Sequence, residues 1–461
     1  MSDSTTIDEK HYKHHSFDLA STVSRYDSEC ASIWTESTVD SPHPTRSYQV
    51  ALLFAGFMAT FQTIGTNQTY GIFQASPPEF YTSPGSNIVD GPGQYAMAAL
   101  VGTIGGGLTW SGSIFVSLII SSGCDLRLMC LAGAALMSMG LILASFATKL
   151  WQLFITQAIL FGIGSSMLYY PMTSLTPRFF DRHRGFAMGI ALSGSGAGGL
   201  VLAPVTQSLL ARFGAPVTLR ILGVWNFVVC IPISFVVRRP PGYTPARLSL
   251  TLAKKGTFLL QLLASFLQAA GNIIPLYYLT MYSASVLGLS TSTASILLAV
   301  NNAVNSVARV LMGLTADYVG RQNTMVGCVL FSSLTVLAFW LNADRGRFLT
   351  FVVLYGVGSG GYSALLPTII AEVFGKEQYS SANAAIYFIR GFGAVFGAPV
   401  AGAILGNHDP SEQSELSVAE LKTRFNRVAG YDGVLLFVAG VCVVLVRWLD
   451  AKAKGKWKWL A

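Results

Sequence analysis

Two arginines lie deep inside long apolar segments of this sequence. Arg309 falls within the apolar stretch from Ser295 to Leu314, and Arg390 lies eight residues into the segment that begins at Ala382. A guanidinium inside a bilayer costs roughly 2.5 to 3.5 kcal/mol on insertion scales, so it normally faces a bundle interior or a wet cavity and pairs with a negative group. We assign no Asp, Glu or His to the apolar spans. The sequence therefore predicts that a negatively charged ligand supplies the counter-ion.

Two asparagines share a helix face with Arg309. Asn302, Asn305 and Arg309 are spaced i, i+3 and i+7, which places them on one polar stripe of an otherwise apolar helix. We favour a stripe that lines a cavity, and the alternative is a hydrogen-bonded seam between helices. Arg390 lies at a similar depth, roughly 12 Å from the end of its span at 1.5 Å per residue. Two arginines at one level favour an anionic ligand, unless Arg390 snorkels towards the cytoplasm.

Other polar side chains at membrane depth are weaker candidate ligands. They are Asn67 and Gln68 in the first span, and Tyr169, Tyr170, Asn272, Tyr277, Tyr278, Tyr355 and Tyr362 in later spans. A tyrosine at such a position is as often an anchor at the membrane interface as a ligand.

A charged motif follows the arginine-bearing span. Asp317, Gly320 and Arg321 form a GxxxDxxGR pattern that starts at Gly313. The Asp can cap or pair with a neighbouring helix end, the Gly permits a tight turn, and the Arg can bridge between helices. We interpret the motif as a latch that holds one conformation of a rocking bundle, with Arg182 in the basic loop before the fifth span as a further gating residue. The alternative is a simple polar helix end.

Twelve apolar windows, each about 20 residues or longer, must position these residues. An even count puts both termini on one side, and 20 of the 30 Lys and Arg then fall on that side, which the positive-inside rule makes cytoplasmic. The windows are 49–74, 94–121, 126–147, 150–174, 185–209, 218–237, 257–281, 289–314, 324–342, 348–372, 382–406 and 432–449.

The windows fall into two halves of six. Pro171, Phe180 and the Ala203-Pro204-Val205 run recur at offsets of 194 to 196 residues, which is typical of a two-lobed transporter with its site between the lobes. We predict an all-α membrane protein of twelve helices in two six-helix pseudo-repeats. Its predicted parts are a disordered cytoplasmic tail (1–48), two bundles (49–237 and 257–449), a cytoplasmic linker between them (238–256) and a basic cytoplasmic tail (450–461).

Composition agrees with this class and disfavours others. Hydrophobic residues make up 52% of the chain, charged residues only 11%, and the mean hydropathy is +0.52, far from the roughly 25% charged residues of soluble domains. The net charge of +8 clusters beside spans, so we expect lipid headgroups rather than nucleic acid as its partner. The sequence contains no Walker A motif, and we expect no ATP-driven pumping, no cofactor, no metal site and no enzyme activity. The GxGxxG pattern from Gly194 to Gly199 lacks a preceding strand and is better explained by close helix packing.

Four segments resemble the monocarboxylate porter family of the major facilitator superfamily, especially its fungal branch. They run from Gly162 to Pro171, from Arg178 through Arg184 to Gly189, from Ala316 to Asn323, and from Phe374 to Gly402. The resemblance implies that an arginine on the eighth helix binds the substrate carboxylate, and Arg309 occupies that position. Animal members carry an Asp one turn earlier, where this chain has Asn305, and a Lys in the first helix, near Gln68. Proton coupling of the animal type is therefore not expected.

The leading hypothesis is a secondary transporter that moves a small organic anion or carboxylated metabolite by alternating access. Arg309 would neutralise the substrate, Asn305 and Gln68 would hydrogen-bond to it, and any proton would travel on the substrate. An alternative is efflux of an endogenous secondary metabolite, and a third possibility is a non-transporting membrane sensor. We expect a multi-pass protein of the plasma membrane with both termini in the cytoplasm.

Overall fold

The computed structural model describes residues 45–74, 94–180, 183–239, 252–406 and 417–455. The predicted N-terminal tail up to residue 44, most of the linker and the last six residues lie outside this part of the chain. Within it, eleven helical stretches are long and apolar enough to cross a bilayer. Helices dominate because a backbone in lipid must satisfy its polar groups within its own segment.

One of these stretches, Arg184–Val236, holds 53 residues and folds back at Gly214. Gly214 has φ 74° and ψ 173°, a backbone conformation that L side chains rarely adopt. Gly375 has nearly the same angles and separates two later spans. Counting the two arms of the folded stretch separately gives twelve crossings, as predicted.

The helices are α1 (Arg46–Phe73), α2 (Gln94–Ser111, continued by Ser113–Ser121), α3 (Leu126–Ala144), α4 (Leu150–Phe179), α5 (184–213), α6 (215–236), α7 (Gly256–Ser285), α8 (Thr291–Val319), α9 (Arg321–Trp340), α10 (Arg345–Gly375), α11 (Glu377–Leu405) and α12 (Val418–Ala453). Side-chain caps begin α3, α8, α10 and α12, at Asp125, Ser290, Asp344 and Ser417. Each cap satisfies a backbone N–H at a helix start that would otherwise lack a partner.

The last helix corrects the sequence-based boundaries. α12 begins at Val418, fourteen residues before the predicted span at 432, and it ends at Ala453. The charged residues of its first turns hid its start, because a window of apolar residues does not register them. Asp432 consequently lies inside the helix, where it is completely buried. The expectation that no acidic residue lies within the spans is therefore wrong.

Helices α1–α6 form one lobe and α7–α12 the other, and the two lobes meet closely along α5–α8 and α2–α11. An added Cβ at Gly189 of α5 would sit 2.5 Å from the Arg309 carbonyl oxygen, and one at Gly391 of α11 would sit 2.4 Å from the Gly107 oxygen. The GxGxxG segment serves this packing: Gly194 lies against α1 and Gly196 against α8. Small residues on these faces thus let two backbones approach each other.

Hydrogen bonds join the lobes from the level of Arg309 to the face at which α1 begins and α12 ends, which we call the terminal face. Ser113 Oγ donates to the Ala384 carbonyl across α2 and α11 at 2.8 Å, and Arg178 Nη2 donates to Ser380 Oγ at 2.6 Å. Ser306 Oγ donates to the Ser193 carbonyl at 2.8 Å. The lobes are therefore held together on the terminal-face side of the arginines.

Candidate functional site

Arg309 lies on α8 at the boundary between the lobes, and only 7% of it is exposed. Its Nε donates to Asn305 Oδ1 at 2.9 Å, one turn earlier on the same helix, and its Nη1 donates to the Leu192 carbonyl of α5 at 2.8 Å. Asn305 is itself oriented by a 2.8 Å bond from its Nδ2 to Ser359 Oγ of α10. The guanidinium thus belongs to one lobe and contacts the other.

Arg390 lies on α11, is only 2% exposed and holds its position through neutral oxygens. Nη1 donates to Gln268 Oε1 of α7 and Nη2 to Ser363 Oγ of α10, each at 2.9 Å. The guanidinium carbon also lies 4.7 Å from the ring centre of Trp110 in the other lobe and 5.2 Å from that of Tyr362. The guanidinium is therefore held inside the bundle by contacts with α2, α7 and α10.

Two tyrosines lie near both arginines. The rings of Tyr169, from α4, and Tyr387, from α11, have centroids 6.2 Å apart. Both side chains are buried, and both lie within electrostatic range of Arg309 and Arg390. The arginines also lie within electrostatic range of each other. The arrangement is a compact group of two cations and several aromatic rings at the lobe interface.

No carboxylate pairs with either arginine in the described part of the chain. The ion pairs there are Asp317–Arg321, Arg321–Glu372, Glu420–Arg424 and Asp450–Lys454, all near helix ends. Hydrogen bonds to neutral oxygens orient a guanidinium but leave its charge uncompensated. The site is consequently electropositive and suited to an anion.

The remaining predicted ligands divide into two groups. Gln68 and Asn302 come together across Gly199, where an added Cβ would meet both side chains. Gln68 Oε1 is buried and has no hydrogen-bond partner in the part of the chain that the structure describes. Asn67 instead points into its own lobe, where its Nδ2 donates to the Gly102 carbonyl at 3.1 Å. Asn67 also lines a cavity of about 10 Å³ inside that lobe. The structure therefore joins Gln68 to the polar stripe of α8 and separates Asn67 from it.

Sequence reasoning missed five side chains of this site: Trp110, Gln268, Ser359, Ser363 and Tyr387. Gln268 is a polar residue in the middle of an apolar span, and Tyr387 lies one turn before Arg390, so both could have been recognised from the sequence as candidate site residues. Trp110 could not have been recognised from the sequence, because its contact with Arg390 depends on how the two lobes pack.

The charged motif after α8 lies at the terminal face and connects the lobes. The Asp317 carboxylate accepts hydrogen bonds from the backbone N–H groups of Gly185 and Phe186, at 3.1 and 3.0 Å, and so caps the first turn of α5. Arg321 lies 3.2 Å from Asp317 and 3.8 Å from Glu372 of α10. Gly320, with φ 107°, forms the turn between α8 and α9, whereas Arg182 lies outside the described residues.

Twelve crossings in two lobes around a buried, electropositive site define a secondary membrane transporter of the alternating-access type. A sequence model described as Major Facilitator Superfamily matches residues 50–341 and, in a second match, 261–457. The chain belongs to that superfamily and is a multi-pass integral membrane protein.

Individual relatives agree with this assignment. The agnestins efflux protein of Paecilomyces divaricatus is 27% identical over 77% of this chain and 81% of its own length. Monocarboxylate transporter 12 of Rattus norvegicus is 30% identical over 62% of this chain and 67% of its own. A solved structure of a bacterial homologue of the human lysosomal transporter Spinster covers 90% of this chain with a TM-score of 0.60 and 15% identity, which shows the common fold.

Proposed function

We propose that this transporter carries a small organic anion, with a carboxylate as the charged group, between its lobes, and that Arg309 binds that group. The observation that carries the proposal is the pair of buried guanidiniums without a carboxylate partner among the described residues. Two uncompensated cations in a membrane protein are costly, and an anionic substrate removes that cost. Arg309 still has Nη2 for a substrate oxygen, because Asn305 and Leu192 engage its Nε and Nη1.

The other polar side chains take supporting roles in this proposal. Arg390 supplies the second positive charge, and the rings of Trp110 and Tyr362 help to hold its guanidinium in place. Gln68 and Asn302 offer hydrogen bonds on the side of the site away from the terminal face. Asn305 orients Arg309 and leaves little capacity of its own for the substrate.

The conformation bears on the transport cycle. The lobes are joined between Arg309 and the terminal face, so passage of a substrate through that face requires these contacts to break. We propose that Asp317, Gly320 and Arg321 form the latch that holds this state, since Asp317 caps a helix of the opposite lobe. With the terminal face in the cytoplasm and the protein in the plasma membrane, as the basic residues favour, the latch closes the cytoplasmic side of the site.

Export of an endogenous secondary metabolite is the second candidate function. It draws on the similarity to the agnestins efflux protein and on Asn305 and Gln68, which replace the acidic and basic residues implied by the monocarboxylate pattern. Untargeted metabolomics of a deletion strain, inside and outside the cell, separates the two. Intracellular build-up of one anion supports export, and slower uptake of an external carboxylate supports import.

The central proposal is tested in vesicles reconstituted with purified protein. Radiolabelled lactate, pyruvate and benzoate serve as probes, and protein-free vesicles correct for passive entry. We expect Arg309→Ala to abolish the protein-dependent flux, and Arg212→Ala, at an exposed position distant from the site, to leave it unchanged. Normal flux in the Arg309→Ala protein, with equal amounts incorporated, would contradict the proposal.

A further inference from the structure

Asp432 is a membrane-embedded carboxyl group that the anion site does not use. It is completely buried on α12, and neither of its oxygens has a hydrogen-bond partner within the described residues. Its neighbour on α7 is Gly271, whose added Cβ would sit 3.0 Å from Asp432 Oδ1. Gly271 lies at the middle of the thirty-residue α7, so the carboxyl is deep in the bundle rather than at its end.

No positive group among the described residues pairs with Asp432. Gly271 of α7 and Tyr355 of α10 lie beside it, and the next residue of its own helix, Gly433, packs against Ser333 and Leu337 of α9. The titratable groups that face it are Tyr355 and, on its own helix, Tyr431, and both are uncharged phenols near neutral pH. Asp432 forms no ion pair in the described part of the chain.

An ionised carboxylate in this setting is unfavourable, because burial removes its hydration and no described residue replaces it with a hydrogen bond or a positive charge. The neutral acid avoids most of that loss, so the group holds a proton in this conformation. A hydrated or partnered carboxylate would release the proton. A movement of α12 relative to α7 that admits water would therefore change the protonation state.

Helices α7 and α10 connect Asp432 to the anion site. Gln268, the partner of Arg390 Nη1, precedes Gly271 by one turn on α7. Ser363, the partner of Arg390 Nη2, lies two turns after Tyr355 on α10. Tyr355 also contacts α7, with its hydroxyl 3.5 Å from the Asn272 carbonyl oxygen. A shift of α7 or α10 during transport thus reaches Arg390 and Asp432 together.

We propose that Asp432 is the proton-binding site of this transporter. The carboxyl binds one proton from water on one side of the membrane and releases it to water on the other, so that one proton moves for each cycle of the lobes. The inference rests on the proposed transport function and replaces the expectation that a proton travels only on the substrate. A proton is favoured over a metal ion, because no group of three acidic, His or Cys side chains suitable for a metal occurs in the described residues.

The protonation of Asp432 is tested by infrared difference spectroscopy of the protein in lipid vesicles at neutral pH. We expect the carbonyl stretching band of a protonated carboxyl in the native protein and its loss in Asp432→Asn. Asp125→Asn, which alters an exposed helix cap, is the matched control and keeps the band. If Asp432→Asn does not fold, Asp432→Glu should shift the band. A native protein without this band, or a band unchanged by both substitutions, would overturn the proposal.

Coupling is tested by flux of radiolabelled lactate, pyruvate and benzoate into the same vesicles. One proton per anion lets a gradient of one pH unit drive up to about tenfold accumulation. We expect Asp432→Asn to retain anion exchange without a gradient and to lose this accumulation, whereas Asp125→Asn behaves as the native protein. Equal accumulation in Asp432→Asn and native protein refutes the coupling. If the native protein exchanges none of these carboxylates, the proposed substrate class fails, and the infrared band still decides whether Asp432 holds a proton.

Discussion

Removal of the Asp317 carboxylate should open the terminal face. Asp317 caps α5 of the opposite lobe through the N–H groups of Gly185 and Phe186, and it is largely buried. Loss of a helix cap costs about 0.5 to 2 kcal/mol, and a carboxylate at a helix N-terminus gains a further 0.3 to 1 kcal/mol or so from the helix dipole. The Arg321 pair is partly exposed and adds little.

We therefore expect Asp317→Ala to destabilise the state closed at the terminal face by about 1 to 2 kcal/mol, which lowers the ratio of closed to open molecules about 5- to 30-fold. The assay is the distance between spin labels at Ser122→Cys and Tyr318→Cys, which lie on different lobes and are both exposed. The parent protein for this assay carries the two labelled cysteines and has its native cysteines replaced. The variant should show a larger share of long distances than the parent.

The matched control is Asp125→Ala. Asp125 lies in the equivalent loop of the first lobe, but it caps its own helix by accepting from Arg127 N–H at 2.9 Å. This substitution removes a similar cap without touching the lobe interface, so the distances should not change. An identical distribution in Asp317→Ala and its parent, or an equal shift in Asp125→Ala, would show that the cap across the lobes does not hold the closed state.

Two further substitutions test the site and the fold. Trp110→Leu removes a ring whose centre lies 4.7 Å from the Arg390 guanidinium of the other lobe. Since such contacts contribute about 0.5 to 2 kcal/mol, we expect the distances between the spin labels to lengthen. The effect should be smaller in Trp110→Phe and absent in Trp225→Leu, which alters an exposed tryptophan. Gly214→Ala places a side chain at φ 74° and should lower thermal stability by about 1 to 2 kcal/mol. Gly430 lies within α12 with open space around it, so Gly430→Ala should raise the thermal stability of the protein slightly. Equal changes in stability for Gly214→Ala and Gly430→Ala would argue against backbone strain at Gly214.

Local residue patterns predicted most of the architecture. Apolar windows of sufficient length predicted the twelve crossings, because every helix that crosses a bilayer needs about 20 mostly apolar residues. They failed at the start of α12, where Glu420, Lys422 and Arg424 make the first turns polar although the helix continues through them. The same failure concealed Asp432, which a reading by windows leaves at the edge of a span.

The sequence by itself determined which residues had to find a partner in the membrane. Arg309 and its stripe with Asn302 and Asn305 follow from helical periodicity and from the cost of a buried charge, both of which are local. The Asp317 motif was likewise recognisable from its spacing. These features depend on the chemistry of one segment and not on how segments meet.

Only the tertiary structure decided what each of these residues meets. It placed Trp110 of one lobe on Arg390 of the other and turned Asn67 away from the site. It also placed Asp432 beside Gly271 with no hydrogen-bond partner among the described residues. Such contacts join residues that are distant in sequence, and they depend on the rotation and depth of whole helices. A difference of about 100° in rotation per residue moves a side chain from the cavity to a neighbouring helix, and a single sequence read segment by segment does not fix that rotation.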